Sequence, residues 1–208
     1  LYERDDTQKI FDAISDPTKH VAICCAPSVR ATIGECFGYE PGTDVEGKMV
    51  AALKKLGFDG VYDMNFTADL TIMEEATEFL GRVKNGGVLP MITSCSPGWV
   101  KYCEHYFPEM TENLSTCKSP QQMFGAMYKT YFAEKLGLNP EDIVFVSAIP
   151  CTAKKFEVGR DGQDVNGMPG VDIAVTTREL GRMIEMAGID FKALADEKFD
   201  QPIDIGSG

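Results

Sequence analysis

Five short apolar runs, at 20–27, 60–64, 91–95, 143–149 and 171–175, alternate with stretches whose apolar residues recur at helical spacing, and this alternation leaves few folds open. The first run, from His20 through Cys24 and Cys25 to Pro27, is stopped by proline, as expected of a strand buried on both faces. Between the runs, 45–56 carries apolar residues at 45, 49, 50, 52, 53 and 56, and 70–83 carries them at 70, 73, 76, 80 and 83, each pattern predicting a helix with one apolar face. Ser119 followed by Pro120 reads as an N-cap with proline in the first turn, opening a long helix to about Leu136. The expected fold is therefore α/β, a mostly parallel sheet with helices on both faces, and such sheets place their sites at the carboxyl ends of the strands. Pro90 confines the 91–95 run to a strand that starts there or lies at an edge. Glycines at 159, 162, 167 and 170, with Asp161 and Asp164, predict a mobile surface loop.

Several function classes are excluded by charge and length. Twenty Lys and Arg against 32 Asp and Glu give 20 − 32 = −12, which repels phosphate backbones and anionic lipid surfaces, so no nucleic-acid and no membrane partner is expected. No stretch approaches the roughly 18 apolar residues of a membrane span, and residues 1–6 have neither the basic start nor the apolar middle of a signal peptide, which predicts a cytoplasmic location. At 208 residues the chain fits one domain, but it begins at Leu1 and stops at Gly208 without a closing helix or strand, and is expected to be a piece of something longer.

Seven cysteines, at 24, 25, 36, 95, 103, 117 and 151, are an odd number in a chain read as cytoplasmic, which favours free thiols, ligands or nucleophiles over disulfides. Cys95 and Cys151 end strand-like runs just before helix starts, where unpaired N–H groups stabilise a thiolate. From spacing alone they are either a ligand and a nucleophile or two small core residues. Cys24, Cys25, Cys36, Cys103 and Cys117 read as structural, as do His20 and His105. Glu75, Glu78 and Arg82, three and four apart, share one helix face nearly opposite the apolar stripe. Read alone, that face is solvated with a Glu78–Arg82 ion pair; a proton relay would instead require it to be partly buried.

Thr93-Ser94-Cys95-Ser96-Pro97-Gly98-Trp99 resembles the first signature of the iron-only (FeFe) hydrogenases, and 149–157, with Pro150, Cys151, Lys154 and Glu157, resembles the second. The segments 26–30, 68–78, 118–122 and 176–180 are similar to the same family, in the same order, over nearly the whole chain. The resemblance implies the amino-terminal lobe, 1–208, of a two-lobed catalytic domain. Between its lobes that domain holds an H-cluster, a cubane [4Fe-4S] cluster joined to a diiron subcluster, and it interconverts protons, electrons and H2. It implies that Cys151 ligates the cubane, that Lys154 donates to a cyanide ligand, and that Ala26, Pro27, Ser28, Ser119 and Gln121 line the diiron pocket. It also implies a proton route from Cys95 through Glu78, Ser115 and Glu75 to Arg82 at the surface.

One signature position departs from the family: where a second cysteine usually ligates the cubane stands Ser96, a harder and poorer donor for iron–sulfur chemistry. The third signature, with the remaining ligands, is expected beyond Gly208 in the missing carboxyl-terminal lobe, so the 208 residues alone are expected to bind no complete cluster. Implied partners are that lobe and a ferredoxin or NAD(P)-linked electron-transfer subunit. The competing class is a non-catalytic iron–sulfur protein of the related cluster-assembly group, in which the proton cysteine and its carboxylates are expected to be lacking; a hydrogen-sensing relative is a third possibility.

Overall fold

A computed structural model describes residues 4–201. Helix α1 (Thr7–Ser15) leads into β1 (His20–Cys25), whose carboxyl end turns through Ala26 into the short helix α2 (Val29–Thr32). Helix α3 (Glu46–Leu56) connects to β2 (Gly60–Asp63), and the 21-residue α4 (Asn65–Asn85) follows at once. Helix α5 (Pro97–Tyr106) precedes α6 (Pro120–Met127), which continues through a π-helical turn (Tyr128–Phe132) into α7 (Ala133–Leu136). Strand β3 (Ile143–Ala148), helix α8 (Ala153–Val158), a small hairpin of β4 (Asp164–Val165) and β5 (Met168–Pro169), β6 (Ile173–Val175) and α9 (Thr177–Met186) complete the order.

The four long strands form one parallel sheet in the order β2-β1-β3-β6, with Ile23 opposite Val61 on one side and Val146 on the other. Val21 to Cys25 are at most 1% exposed. A fully covered parallel sheet is what uninterrupted apolar runs specify. Helices α1, α3 and α9 touch one another in one layer. In the other, α6 lays Phe124 and Tyr128 on Phe145, with ring centroids 5.4 and 5.0 Å apart, and α4 packs on α6. Gly125 lets that helix press on the main chain before β6: a Cβ there would lie 2.3 Å from the Gly170 carbonyl oxygen.

The 91–95 run is not a strand. Only Ile92 makes a bridge, parallel to Leu114, because this segment lies apart from the sheet and its side chains are half exposed. The glycine-rich 159–170 segment, expected to be loop, contains the β4–β5 hairpin, turned at Asn166-Gly167 with both residues at positive φ. The stripe 70/73/76/80/83 is outward: Met73, Leu80 and Val83 are exposed, together with Ile72 and Phe79. No helix among the described residues is long and apolar enough to cross a membrane.

Candidate active site

Three strand ends meet at one edge of the sheet. The Ala26 N–H donates to the Ala148 carbonyl (2.9 Å) and the Ile149 N–H to that of Val175 (2.9 Å), so Ala26-Pro27-Ser28 and Pro150-Cys151 leave the sheet side by side. Ala26 is buried there, whereas Pro27, Ser28 and Cys151 are exposed. Ser96 sits at the start of α5, where its Oγ accepts from the Trp99 N–H at 3.4 Å as the helix N-cap.

Lys154, on α8, is 9% exposed at its side chain and joins the two signature segments: its Nζ donates to the Cys95 carbonyl oxygen at 2.6 Å and to both carboxylate oxygens of Glu157 at 3.1 Å. The same Glu157 carboxylate accepts from Ser119 Oγ (2.9 Å) and from the Gln121 amide. Ser119 thus begins α6 without capping it, having turned its hydroxyl to Glu157. One buried carboxylate gathers Lys154, Ser119 and Gln121. The sequence places Glu157 in the second signature but gives it no role; the signal for one was its i,i+3 spacing from Lys154.

The second cluster lies on the inward face of α4. Glu78 accepts from Arg82 Nη2 (2.6 Å) and Nε (3.1 Å), from Ser115 Oγ (2.7 Å) and from the Thr116 N–H (3.1 Å), with Cys117 Sγ at 3.6 Å. Arg82 also donates to the carbonyls of Val88 (3.2 Å), Glu112 (3.2 Å), Asn113 (3.4 Å) and Leu114 (2.7 Å). With 14% of its side chain exposed, it clamps the 112–114 segment to the helix as well as neutralising Glu78. Burial alone would lift the Glu78 carboxyl, but the hydrogen bonds from Ser115, Arg82 and Thr116 outweigh it and hold the group below its usual range. Glu75 is raised, chiefly by burial and then by the Glu78 charge, with the nearby Ser115 hydroxyl acting in the opposite direction. The two carboxylates beside the Ser115 hydroxyl are thereby pushed apart in acidity, Glu75 upward and Glu78 downward.

The two clusters are tied through main chain. Ser94 Oγ donates to the Cys117 carbonyl (3.0 Å), and Cys95, half-buried between Ser94 and Ser96, is held from the other side by Lys154. Glu75, Glu78, Ser115 and Arg82 form one group, and Lys154, Ser119 and Gln121 another.

No group of three or more His, Cys, Asp or Glu gathers to hold a metal among the described residues. For an iron–sulfur group the fit is that of one wall: Cys151 presents a free, exposed thiol beyond β3, Ser96 a hydroxyl on the adjoining α5, and the buried Gln121 leaves its Oε1 without a protein partner. A buried acceptor of that kind marks a place where something polar is to be bound.

The chain is 50% identical over its whole length to the NADP-reducing hydrogenase subunit HndD of Solidesulfovibrio fructosivorans, of which it spans 37%. It is 48% identical, over 88% of its length and 44% of the relative, to the periplasmic [Fe] hydrogenase large subunit of Nitratidesulfovibrio vulgaris. An apo FeFe-hydrogenase structure, HydA1 from Chlamydomonas reinhardtii, superposes with a TM-score of 0.91 at 41% identity, covering 99% of this chain and 53% of that one. A more distant relative, NAR1 of Arabidopsis thaliana, is 30% identical over 97% of the chain. The chain therefore spans between a third and a half of the curated relatives it matches. The model of the iron only hydrogenase large subunit, C-terminal domain, matches residues 19–208, and the chain belongs to that family.

Proposed function

We propose that the protein containing this chain is a hydrogenase that interconverts protons, electrons and H2, with residues 1–208 forming the amino-terminal lobe of its catalytic domain. The observation that carries this reading is the part-buried Glu78–Ser115 contact at 2.7 Å, with Glu75 beside it, on a segment hydrogen-bonded to Ile92 and Ser94 just before Cys95. A solvated helix face has no use for a carboxylate held by Ser115, Thr116 and Arg82 at once.

When bound, the H-cluster supplies the redox chemistry and the site at which H2 is made or split. Cys151 and Ser96 would hold the cubane, with the ligands that complete it coming from the other lobe. Ala26, Pro27, Ser28, Ser119 and Gln121 would form the wall of the diiron pocket. Lys154, oriented by Glu157, would donate a hydrogen bond to an anionic ligand there. Cys95 would pass protons to and from Glu78, Ser115 and Glu75, with Arg82 holding the outer end of the route in place. Electrons would come from a ferredoxin or an NAD(P)-linked subunit in the cytoplasm.

The alternative is a non-catalytic iron–sulfur protein such as the cluster-assembly relatives. Cys95 and the paired carboxylates favour the enzyme. In the complete protein, Cys95→Ala is expected to lose nearly all H2 turnover while iron content is unchanged, because a methyl group cannot carry a proton. Normal turnover in that variant would remove Cys95 from the route, and no turnover in the unmodified protein with full iron content would favour the alternative.

A further inference from the structure

The second signature loop and α5 enclose a cavity of about 300 Å3 whose walls include Ser94, Cys117, Lys118, Glu157, Arg160 and Gln163. Liquid water occupies about 30 Å3 per molecule, so the space admits several. Its lining is mixed, with Pro97, Val100 and Leu114 on the apolar side and polar groups on the rest. Lys118 Nζ donates to the Gly162 carbonyl at 2.9 Å, the Glu104–Arg160 pair (2.5 Å) stands at the partly exposed end, and Gln163 Oε1 is buried on the wall without a protein partner. A buried acceptor beside a roomy, partly polar cavity is the setting in which interior water is held.

Together with Ser115, which also lines the cavity, Cys117 stands between it and Glu78. Its Sγ lies 3.6 Å from Glu78 Oε2, the same oxygen that takes the Ser115 hydroxyl, and its own N–H donates to Ser115 Oγ at 3.1 Å. Ser115 has one hydroxyl proton, and it is already given to Glu78, so the thiol is the second movable proton on that oxygen. The Cys117 thiol is pushed up by burial and by the Glu78 charge, which keeps it protonated and able to donate.

We propose that this cavity is a side branch of the proton route, joined to Glu78 through the Cys117 thiol and opening at Glu104 and Arg160. The proposal rests on the reading of Glu78 as a relay. In the inward direction a hydrated proton that has entered the cavity from solvent passes to the sulfur as the S–H proton passes to Glu78 Oε2, and neutral water is left in the cavity. The thiol is neutral before and after, and one proton has moved from the cavity to the carboxylate. The reverse step carries one out. Cys117 is never oxidised and holds no metal in this scheme. The branch bypasses Glu75, so protons can enter or leave when the Glu75 arm is blocked.

Infrared spectroscopy of the complete protein tests this directly, because the thiol S–H stretch falls in a window clear of backbone bands. The Cys117 band is assigned as the one lost in Cys117→Ala. It is expected at the position of a hydrogen-bonded thiol and to move toward the free-thiol position in Glu78→Gln. In heavy water its exchange to S–D is expected to be unchanged by Glu75→Gln and slowed at least about tenfold by filling the cavity with Val100→Phe or, should that variant fold poorly, Thr111→Leu. In a Glu75→Gln background, Cys117→Ala is expected to lower residual H2 turnover further and Cys117→Ser to restore part of it. A Cys117 band indifferent to Glu78→Gln, or exchange unaffected by both filling variants, overturns the branch. Unchanged H2 turnover in Glu75→Gln with an intact Cys117 band would instead overturn the main route and leave the branch standing.

Discussion

In the sheet, Val21 to Cys25 of β1 are at most 1% exposed and most of the large side chains beside them are apolar or aromatic; on α4, Ile72 and Met73 are 65% and 68% exposed while Glu75, Glu78 and Arg82 are turned inward. The two regions hold together by different forces. Around β1 the hydrophobic effect acts without direction, and Phe124, Tyr128, Phe145 and Tyr62 fill space. Along α4 only Thr67 and Thr71 are buried; Phe66 packs at its start on Phe124 and Phe132, and beyond it attachment comes largely from hydrogen bonds: Thr71 Oγ1 to Met123 Sδ at 3.2 Å, and the Arg82 guanidinium to Glu78 and four carbonyls. Directional bonds fix positions that a purely apolar contact would leave free to slide.

That contrast can be broken at its strongest point first. Lys155→Met should cost about 3–5 kcal/mol, because it strands the fully buried Glu179, which Lys155 meets from α8 and which also closes the Thr176 capping box of α9. Chemical denaturation of the two forms measures it. Phe124→Ala is expected to cost a similar amount, about 3–5 kcal/mol, by opening a hole among Tyr62, Phe66 and Phe145, and to lower cooperativity of the whole sheet. On the other flank, Glu78→Gln should cost about 1.5–3 kcal/mol, with protease cutting first in the 111–117 segment that Glu78 and Arg82 hold.

The carboxylates sharpen the comparison through pH. Glu78 is lowered in the folded state, so its stabilisation is fully present above the unfolded carboxylate range and is lost as pH falls through its folded value. Glu75 is raised, so its contribution runs the other way: it is present below the unfolded value and lost as pH rises through the folded one. The stability of Glu75→Gln relative to the unmodified chain should therefore increase on going from acid to neutral pH, and that of Glu78→Gln should decrease. The smallest effect is expected from Leu80→Ser on the outward face of α4, within about 0.5 kcal/mol, since that side chain covers nothing in this chain.

The sheet was legible from the sequence because period and content agree: apolar runs closed by Pro27 and Pro150 can only be buried strands, and β1, β2, β3 and β6 all follow them. The helix start at Pro120 follows the proline, although Ser119 gives its hydroxyl to Glu157 instead of capping, and the Thr176 capping box of α9 was not read from the sequence. Periodicity failed on α4, where the stripe at 70/73/76/80/83 marks a real amphipathic helix but points away from the chain's own core. Amphipathicity says that two faces differ and not which one this polypeptide covers. It failed also at 91–95, where β-branched and apolar composition suits a strand that found no neighbour beyond Leu114. In the site, Lys154, Ser119 and Gln121 were named by motif, but Glu157, which holds all three, has no unusual spacing beyond its place one turn after Lys154. Cys117 was set aside for want of a metal-like partner, and its neighbour proved to be a carboxylate 39 positions away.

Lys154 grips Cys95 by its carbonyl oxygen and leaves the thiol out of the bond. Every amino acid has that carbonyl, so the loop's shape is insured against whatever side chain stands at 95. The side chain at 95 can therefore be exchanged without refolding the loop or loosening its hold on α8. A single tether of this kind separates the shape of the scaffold from whatever chemistry the side chain carries.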